Sequence, residues 1–269
     1  MPGAVAPVRD ALSAAEDALR AAGCDTPRLD AELLIAHAMG VGRETLFVGA
    51  GDGLEPAAAR RAMELVRRRV AREPVAYILG VKGFRHIELR VDSRVLIPRP
   101  DTELLVEVAL PLPSEARVHD VGTGSGAVAL ALKEERPDLI VSASDASPDA
   151  VEVARGNASL LGLEVPVSLA PGMPAGDFDL VLANLPYVRE DEWAGLAPEI
   201  TRYEPREALV SGVDGLDAIR ALVDEAPSGL LLALEHSPAQ AQAVRAMLRD
   251  AETRRDLAGR ERLTVGRAL

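Results

Sequence analysis

Apolar residues recur at three- and four-residue spacing over 8–22, 27–39 and 56–72, with Gly and Pro breaking the runs between them. That period predicts helices, and the three together predict a small helical domain over residues 1–80. Over 83–97 the period drops to two: Ile87, Leu89 and Val91 alternate with His86, Glu88, Arg90 and Asp92, as on a half-buried strand pair. A β-hairpin linker over 81–98 is the expected reading.

From residue 99 to 269 the pattern changes again. Short apolar runs at 117–120, 139–144, 165–169, 178–183 and 230–235 alternate with helical stretches at 128–135, 148–161, 216–226 and 238–249. Strands alternating with crossover helices predict an α/β domain built on a doubly wound parallel sheet. Residues 262–267 are expected to add one antiparallel strand, paired with the stretch 253–257.

The first candidate chemistry lies where a predicted strand turns into a predicted helix. Asp120-Val121-Gly122-Thr123-Gly124-Ser125-Gly126 has three glycines in five residues, which permit a tight turn and let a ligand lie against bare backbone. Asp145 closes the next strand, where a carboxylate can accept from both hydroxyls of an adenosine ribose. Ser147 and Pro148 supply the following helix with its own cap, so Asp145 is expected to be free for a ligand. These residues are compatible with a dinucleotide and with S-adenosylmethionine alike, since Gly122, Gly124 and Ala127 also fit the dinucleotide fingerprint. No Gly-Lys-Ser/Thr ending is present to cradle a nucleotide triphosphate.

The choice between chemistries falls to Asn184-Leu185-Pro186-Tyr187, directly after the run 178–183 and so at the carboxyl end of a strand. An amide or an aromatic exocyclic NH2 is a poor nucleophile because its lone pair is delocalised. It needs acceptors that orient both N–H bonds. Asn184 offers its side-chain oxygen and Leu185 its backbone carbonyl, with Pro186 unable to donate and Tyr187 able to cover a planar group. The stretch resembles the Asn/Asp-Pro-Pro-Tyr/Phe motif of amino-methyltransferases.

With Ile97-Pro98-Arg99-Pro100-Asp101-Thr102-Glu103, Tyr203-Glu204-Pro205, the segment 73–80 and the closing 261–267, the chain resembles the HemK/PrmC family of release-factor glutamine methyltransferases over nearly its whole length. The resemblance implies a Rossmann-like S-adenosylmethionine-dependent methyltransferase domain over 99–269. It also implies a helical domain over 1–80 that docks the substrate, and methyl transfer to the glutamine of the Gly-Gly-Gln loop of class I peptide chain release factors. Carried over by residue, it assigns cofactor binding to Gly122, Thr123, Gly124, Ser125, Gly126, Asp145 and Asn184. Catalysis and glutamine binding fall to Asn184, Leu185, Pro186 and Tyr187. The family usually has Pro where this chain has Leu185, and Phe where it has Tyr203. Around 170–176 its usual acidic residue and aromatic are replaced, and Met173 is the candidate to fill the adenine slot.

Charge narrows the partners. A net charge of −12 repels phosphate backbones and only 3% aromatic residues leaves few stacking platforms, so no direct nucleic-acid contact is expected. A nucleic-acid adenine methyltransferase and a ribosomal-protein glutamine methyltransferase are the alternatives with the same amide-clamp chemistry. Arg60, Arg61, Arg67, Arg68, Arg69 and Arg72 form the densest basic run and read as a solvated helix face. Cys24 is the single cysteine and His37, His86, His119 and His236 are scattered, so neither a disulfide nor a metal site is expected. No run approaches membrane-spanning length and the leading residues lack a signal-peptide core, which points to a cytoplasmic protein without membrane contact. Arg99 can meet a carboxylate or backbone and Glu103 can complement a helix amino terminus, with an active-site role equally open for both. Glu235 and His236 read as capping or packing residues. Trp193 reads equally as a lid aromatic or as packing.

Overall fold

Helix α1 (Val8–Ala21) buries Val8, Leu12, Ala15 and Leu19, the stripe its spacing predicts. It is followed by α2 (Pro27–Met39), α3 (Thr45–Val48), α4 (Pro56–Val70) and α5 (Val75–Leu79). Pro27 and Pro56 open their helices, where a missing N–H costs nothing. The structure, a computed structural model, describes residues 7–49, 51 and 53–269. The readings made for residues 1–6, in the predicted helical domain and the leading stretch, lie outside the described residues.

The chain divides into two units: Met1–Gly80 with Ala197–Tyr203, and Val81–Leu196 with Glu204–Leu269. Residues 197–203, expected within the methyltransferase domain, thus group with the helices. Ion pairs explain it. Arg69, with a side chain only 7% exposed, lies 2.7 Å from Asp30 and 2.7 Å from Glu199, and Arg72 donates to both Glu199 oxygens at 2.7 Å. Burial alone raises the Glu199 pKa, but the hydrogen bonds from Arg72 and Arg69 outweigh it and hold it at about 2. This corrects the reading of the arginine run as a solvated face. Arg60 and Arg67 are exposed, whereas Arg69 is buried and Arg68 and Arg72 are half-buried in ion pairs.

The second unit opens with the expected hairpin, β1 (Val81–Phe84) against β2 (Ile87–Arg90) in antiparallel register. Pairing ends at Arg90 rather than running on to 97, because Asp92 turns the chain by accepting from the Arg94 N–H at 3.0 Å. Phe84, Ile87 and Leu89 enter the core of this unit.

There follow α6 (Glu103–Ala109), β3 (Arg117–Val121), α7 (Ala127–Glu135), β4 (Ile140–Asp145), α8 (Pro148–Leu161), β5 (Val167–Leu169), β6 (Leu180–Ala183), α9 (Pro198–Tyr203, grouped with the helices above), α10 (Asp217–Glu225), β7 (Leu231–Glu235), α11 (Ala241–Ala246), β8 (Leu248–Arg255) and β9 (Glu261–Ala268). The sheet order is β5-β4-β3-β6-β7-β9-β8, parallel through β7 with β9 and β8 antiparallel. This is the predicted doubly wound α/β class.

Strand residues alternate between two cores. Val118, Leu180, Leu182 and Ala233 face the core built with α6, α7 and α8. Val121, Val181, Ala183, Leu232 and Leu234 face the core built with α10 and α11. Burial on both faces is why these strands read as continuous apolar runs.

The helix expected over 238–249 is shorter. A 3-10 turn, Pro238–Gln240, leads into α11, and Leu248 and Arg249 instead open β8, pairing with Ala268 and Arg267. The neighbouring edge of β9 satisfies their backbone groups, and Leu248 is buried in doing so.

Candidate functional site

The sheet reverses its winding between β3 and β6, which lie side by side with Val121 opposite Ala183. Open α/β sheets bind ligands at the carboxyl ends of strands at such a switch point. The next residues on these strands are Gly122 and Asn184, so the topology brings the two separate motifs together. A cleft of about 500 Å³ lies there, lined by Gly122, Gly124, Asp145, Asn184, Leu185 and Pro186 among others. A smaller recess shares Gly122, Gly124 and Asn184 with it and reaches Thr123, Ser125, Thr102 and Asp120.

The glycine turn is held from within. Gly122 and Thr123 donate to the Ser144 carbonyl at 2.9 and 3.0 Å, and the Thr123 hydroxyl donates to Asp120 Oδ2 at 2.6 Å. Asp120 is 2% exposed, and burial pushes its pKa up to about 7 despite that hydrogen bond. Gly122, Gly124 and Gly126 have φ of +72°, +56° and +85°, the left-handed region that favours glycine. A Cβ at Gly122 would lie 2.8 Å from Leu185 Cδ2, and one at Gly126 2.8 Å from Leu130 Cδ1. At Gly124 a Cβ would meet nothing within 4 Å. The positive φ therefore favours glycine at all three positions, a Cβ at the outer two would also push aside a leucine methyl, and the middle one faces open space.

Asp145 is not spare, contrary to expectation. Its Oδ2 accepts from Gly124 N–H at 2.8 Å and its Oδ1 from Ser147 N–H at 2.9 Å, so the carboxylate braces the turn it faces. Ser147 does cap α8, accepting from Ala150 N–H. A carboxylate has about four lone-pair positions, so each Asp145 oxygen keeps acceptor capacity toward the cleft.

On the other strand, Asn184 Nδ2 donates to Thr102 Oγ1 at 2.9 Å, which leaves Asn184 Oδ1 as an acceptor with no donor among the described residues. Among the described residues no donor reaches the Leu185 carbonyl either. Tyr187 turns its hydroxyl toward Glu235 Oε1 at 3.2 Å, and its carbonyl is held by Gln240 Nε2 at 2.9 Å. Burial, with the Glu235 carboxyl adding to it, raises the Tyr187 pKa, so the phenol stays protonated.

Two family descriptions match the chain in sequence, the "PrmC N-terminal domain" over residues 10–80 and the "Methyltransferase small domain" over residues 99–206. The release factor glutamine methyltransferase of Deinococcus radiodurans is 41% identical over 97% of this chain and 98% of its own. That of Cereibacter sphaeroides is 42% identical over 96% and 97%. The chain belongs to the release factor glutamine methyltransferase family. Among solved structures, the hMettl16 catalytic domain in complex with the MAT2A 3'UTR hairpin 6 has the same fold. Its TM-score is 0.50 at 13% identity, covering 77% of this chain and 80% of that one.

In this family member the cleft gathers most of the residues singled out in the sequence. Tyr187 and Gly126 line neither the cleft nor the recess. Met173, the candidate for the adenine slot, does not line the cleft: Ala170 and Pro171 do, while Met173 packs on the core beside α10 and donates its N–H to Glu225. Arg99 meets a carboxylate, Glu204 Oε1 at 2.5 Å, and the other Glu204 oxygen takes the Ile97 N–H at 3.2 Å. The segments 97–103 and 203–205, adjacent in the resemblance only as motifs, are thereby joined. Glu103 begins α6 and accepts from Arg85 N–H at 3.2 Å. Trp193 packs its ring under the Arg206 guanidinium, 5.7 Å away. Among the described residues no helix is long and apolar enough to cross a membrane.

Three contributors were not found from the sequence. Leu96 lines both cavities, Thr102 holds Asn184, and Asn157 on α8 ties the hairpin to the glycine turn by donating to the Arg90 and Ser125 carbonyls at 3.0 and 2.9 Å. A Thr within the Arg99–Glu103 motif was a signal for the second; the other two have none.

Proposed function

We infer that this protein transfers the methyl group of S-adenosylmethionine to the side-chain amide nitrogen of the glutamine in the Gly-Gly-Gln loop of class I peptide chain release factors. The observation that carries this is the juxtaposition of two unpaired acceptors, Asn184 Oδ1 and the Leu185 carbonyl, with the glycine turn across a single cleft. A target amide has two N–H bonds to place, and two acceptors orient both. The residues suit the cofactor: the backbone at Gly124 is open to the cleft, and Asp145 presents acceptors beside it for a ribose. The bound cofactor would supply an electrophilic methyl on a sulfonium.

The chain's own work is alignment. Gly122, Thr123, Gly124, Ser125 and Asp145 hold the cofactor, and Gly126, outside the cleft, completes the turn that carries them. Asn184 and Leu185 fix the glutamine amide in line, the Leu185 carbonyl being without a backbone donor among the described residues. Tyr187 limits water at that end of the segment. Positioning of this kind supplies several powers of ten in rate, which removes the need for a strong base. The two carbonyl oxygens would stabilise the positive charge that builds on the amide nitrogen as it takes the methyl, and one N–H proton would then pass to water. The helices of residues 1–80 serve to dock the release factor, and a release-factor substrate puts the protein in the cytoplasm.

The test is transfer of labelled methyl from S-adenosylmethionine to a purified release factor, beside the same factor with its Gly-Gly-Gln glutamine changed to alanine and beside DNA and RNA. Label on the factor that disappears in the alanine control supports the reading. Label on nucleic acid alone would overturn it in favour of adenine methylation.

A further inference from the structure

The carboxyl end of β7 buries an acid for which methyl transfer has no direct use. Ala183 pairs with Leu234, so the next residues, Asn184 and Glu235, leave adjacent strands side by side. Glu235 is 2% exposed; its Oε1 takes the Tyr187 hydroxyl at 3.2 Å, and its Oε2 is buried without a hydrogen-bond partner. The Thr102 hydroxyl, 4% exposed, lies beside the same carboxyl without good hydrogen-bond geometry to it. It is also the group that receives Asn184 Nδ2 at 2.9 Å.

Hydrogen counting gives this cluster a direction. An ionised carboxylate can only accept, so the Tyr187 hydroxyl donates to it, and the Thr102 hydroxyl beside it is favoured to turn its hydrogen the same way. Thr102 has one hydrogen. Once that is aimed at Glu235, its oxygen can only accept from Asn184, which fixes the amide with Nδ2 inward and Oδ1 toward the cleft. An amide in place of Glu235 would remove the bias: its N–H could donate to Thr102, and Thr102 could then donate to Asn184 Oδ1. Asn184 would then present an NH2 to a substrate that itself brings an NH2.

We propose that Glu235 is a positioning residue: acting through Thr102 and Tyr187, it sets the hydrogen-bond direction that makes Asn184 an acceptor and so selects an amide donor as the methyl-accepting group. This rests on the reading above, in which Asn184 receives the glutamine N–H. The bias needs the ionised form of Glu235. Burial raises its pKa to about 7, Thr102 and Tyr187 lower it, and the charges facing it from neighbouring elements oppose each other: Asp101 before α6 raises it and Arg262 on β9 lowers it. Below that value a protonated carboxyl can donate, and the direction is lost. Activity should therefore rise with pH through the neutral range. His236, the next residue, is engaged by Thr264 and the Ser237 carbonyl.

The experiment measures kcat and KM for methylation of a release factor by the whole protein and by Glu235→Gln, Thr102→Val and Thr102→Ser, at pH values on both sides of neutral. Cofactor affinity is measured by calorimetry in parallel. Glu235→Gln is expected to lose about 100-fold in kcat with KM and cofactor affinity within a few-fold, as for a misaligned reacting group, and to lose the neutral rise in the pH profile. Thr102→Ser keeps the relay and the wild-type profile, and Thr102→Val behaves like Glu235→Gln. A Glu235→Gln variant with wild-type kcat and an unchanged pH profile overturns the proposal. If that variant does not fold, the threonine pair decides, and Thr102→Val as fast as Thr102→Ser overturns it equally. The underlying reading fails in a different way: the unaltered protein would then transfer no methyl to the glutamine at all.

Discussion

Gly124→Ala adds one methyl group at the middle of the turn between β3 and α7. Its φ of +56° is the left-handed region, where an alanine costs about 1–2 kcal/mol. The variant regains about 0.4–1 kcal/mol from the reduced freedom of its unfolded chain. The new Cβ meets nothing within 4 Å, so no packing penalty is added. The net loss is about 1 kcal/mol, or roughly 2–4 °C in melting temperature for a unit of this size. The same methyl projects along the cleft where the cofactor is proposed to lie against bare backbone, and intrusion into a packed contact costs about 1–3 kcal/mol. That is roughly 5- to 150-fold in affinity.

Gly122→Ala is the contrasting change. Its φ is +72°, and its Cβ would sit 2.8 Å from Leu185 Cδ2, so the end of that flexible side chain must swing aside on top of the same backbone strain of about 1–2 kcal/mol. Thermal unfolding followed by calorimetric titration with S-adenosylmethionine separates the two. The expected result is weak binding with a nearly wild-type melt for Gly124→Ala, and a melt at or below that one for Gly122→Ala. A folded Gly124→Ala protein that binds the cofactor as tightly as the unaltered one would refute the placement of the cofactor on this turn.

Two further changes probe the site and the helical unit. Asn184→Ala should abolish methyl transfer while calorimetry finds cofactor affinity within a few-fold; Asp145→Ala should weaken cofactor binding first, since it removes the acceptor for Gly124 N–H as well as the ribose acceptor. Near-normal turnover by the Asn184 variant would sink the amide clamp. Glu199→Gln should destabilise the helical unit by about 2 kcal/mol at neutral pH, a figure discounted for the solvent that still reaches the cluster. Because the folded-state pKa of Glu199 is depressed to about 2, its contribution is present above the ordinary carboxylate range and is lost as pH falls through about 2. The gap between variant and parent in denaturant titrations should narrow accordingly on acidification, and a gap that widened instead would contradict the ion-pair account.

What the sequence by itself determined was everything with a local physical signature. The stripe of α1, the capped start of α8 and the apolar runs of β3, β6 and β7 were legible because burial imposes its period on the chain. So were the glycines of the turn, because a positive φ leaves few other choices. Tertiary structure alone decided the rest, for one reason: the partner of a polar group, and the depth at which they meet, depend on residues far away in the chain. Arg69 looked like its exposed neighbour Arg67 until Asp30 and Glu199 closed around it. Residues 248 and 249 had helical periodicity, yet the unpaired edge of β9 claimed them for β8. Asp145 seemed spare because its bond to Gly124 spans two elements. Glu235 gave no sign that it would be buried beside Thr102 and Tyr187, because only the fold brings together three residues from a 3-10 turn, a loop and a strand end, and strips one carboxyl of water.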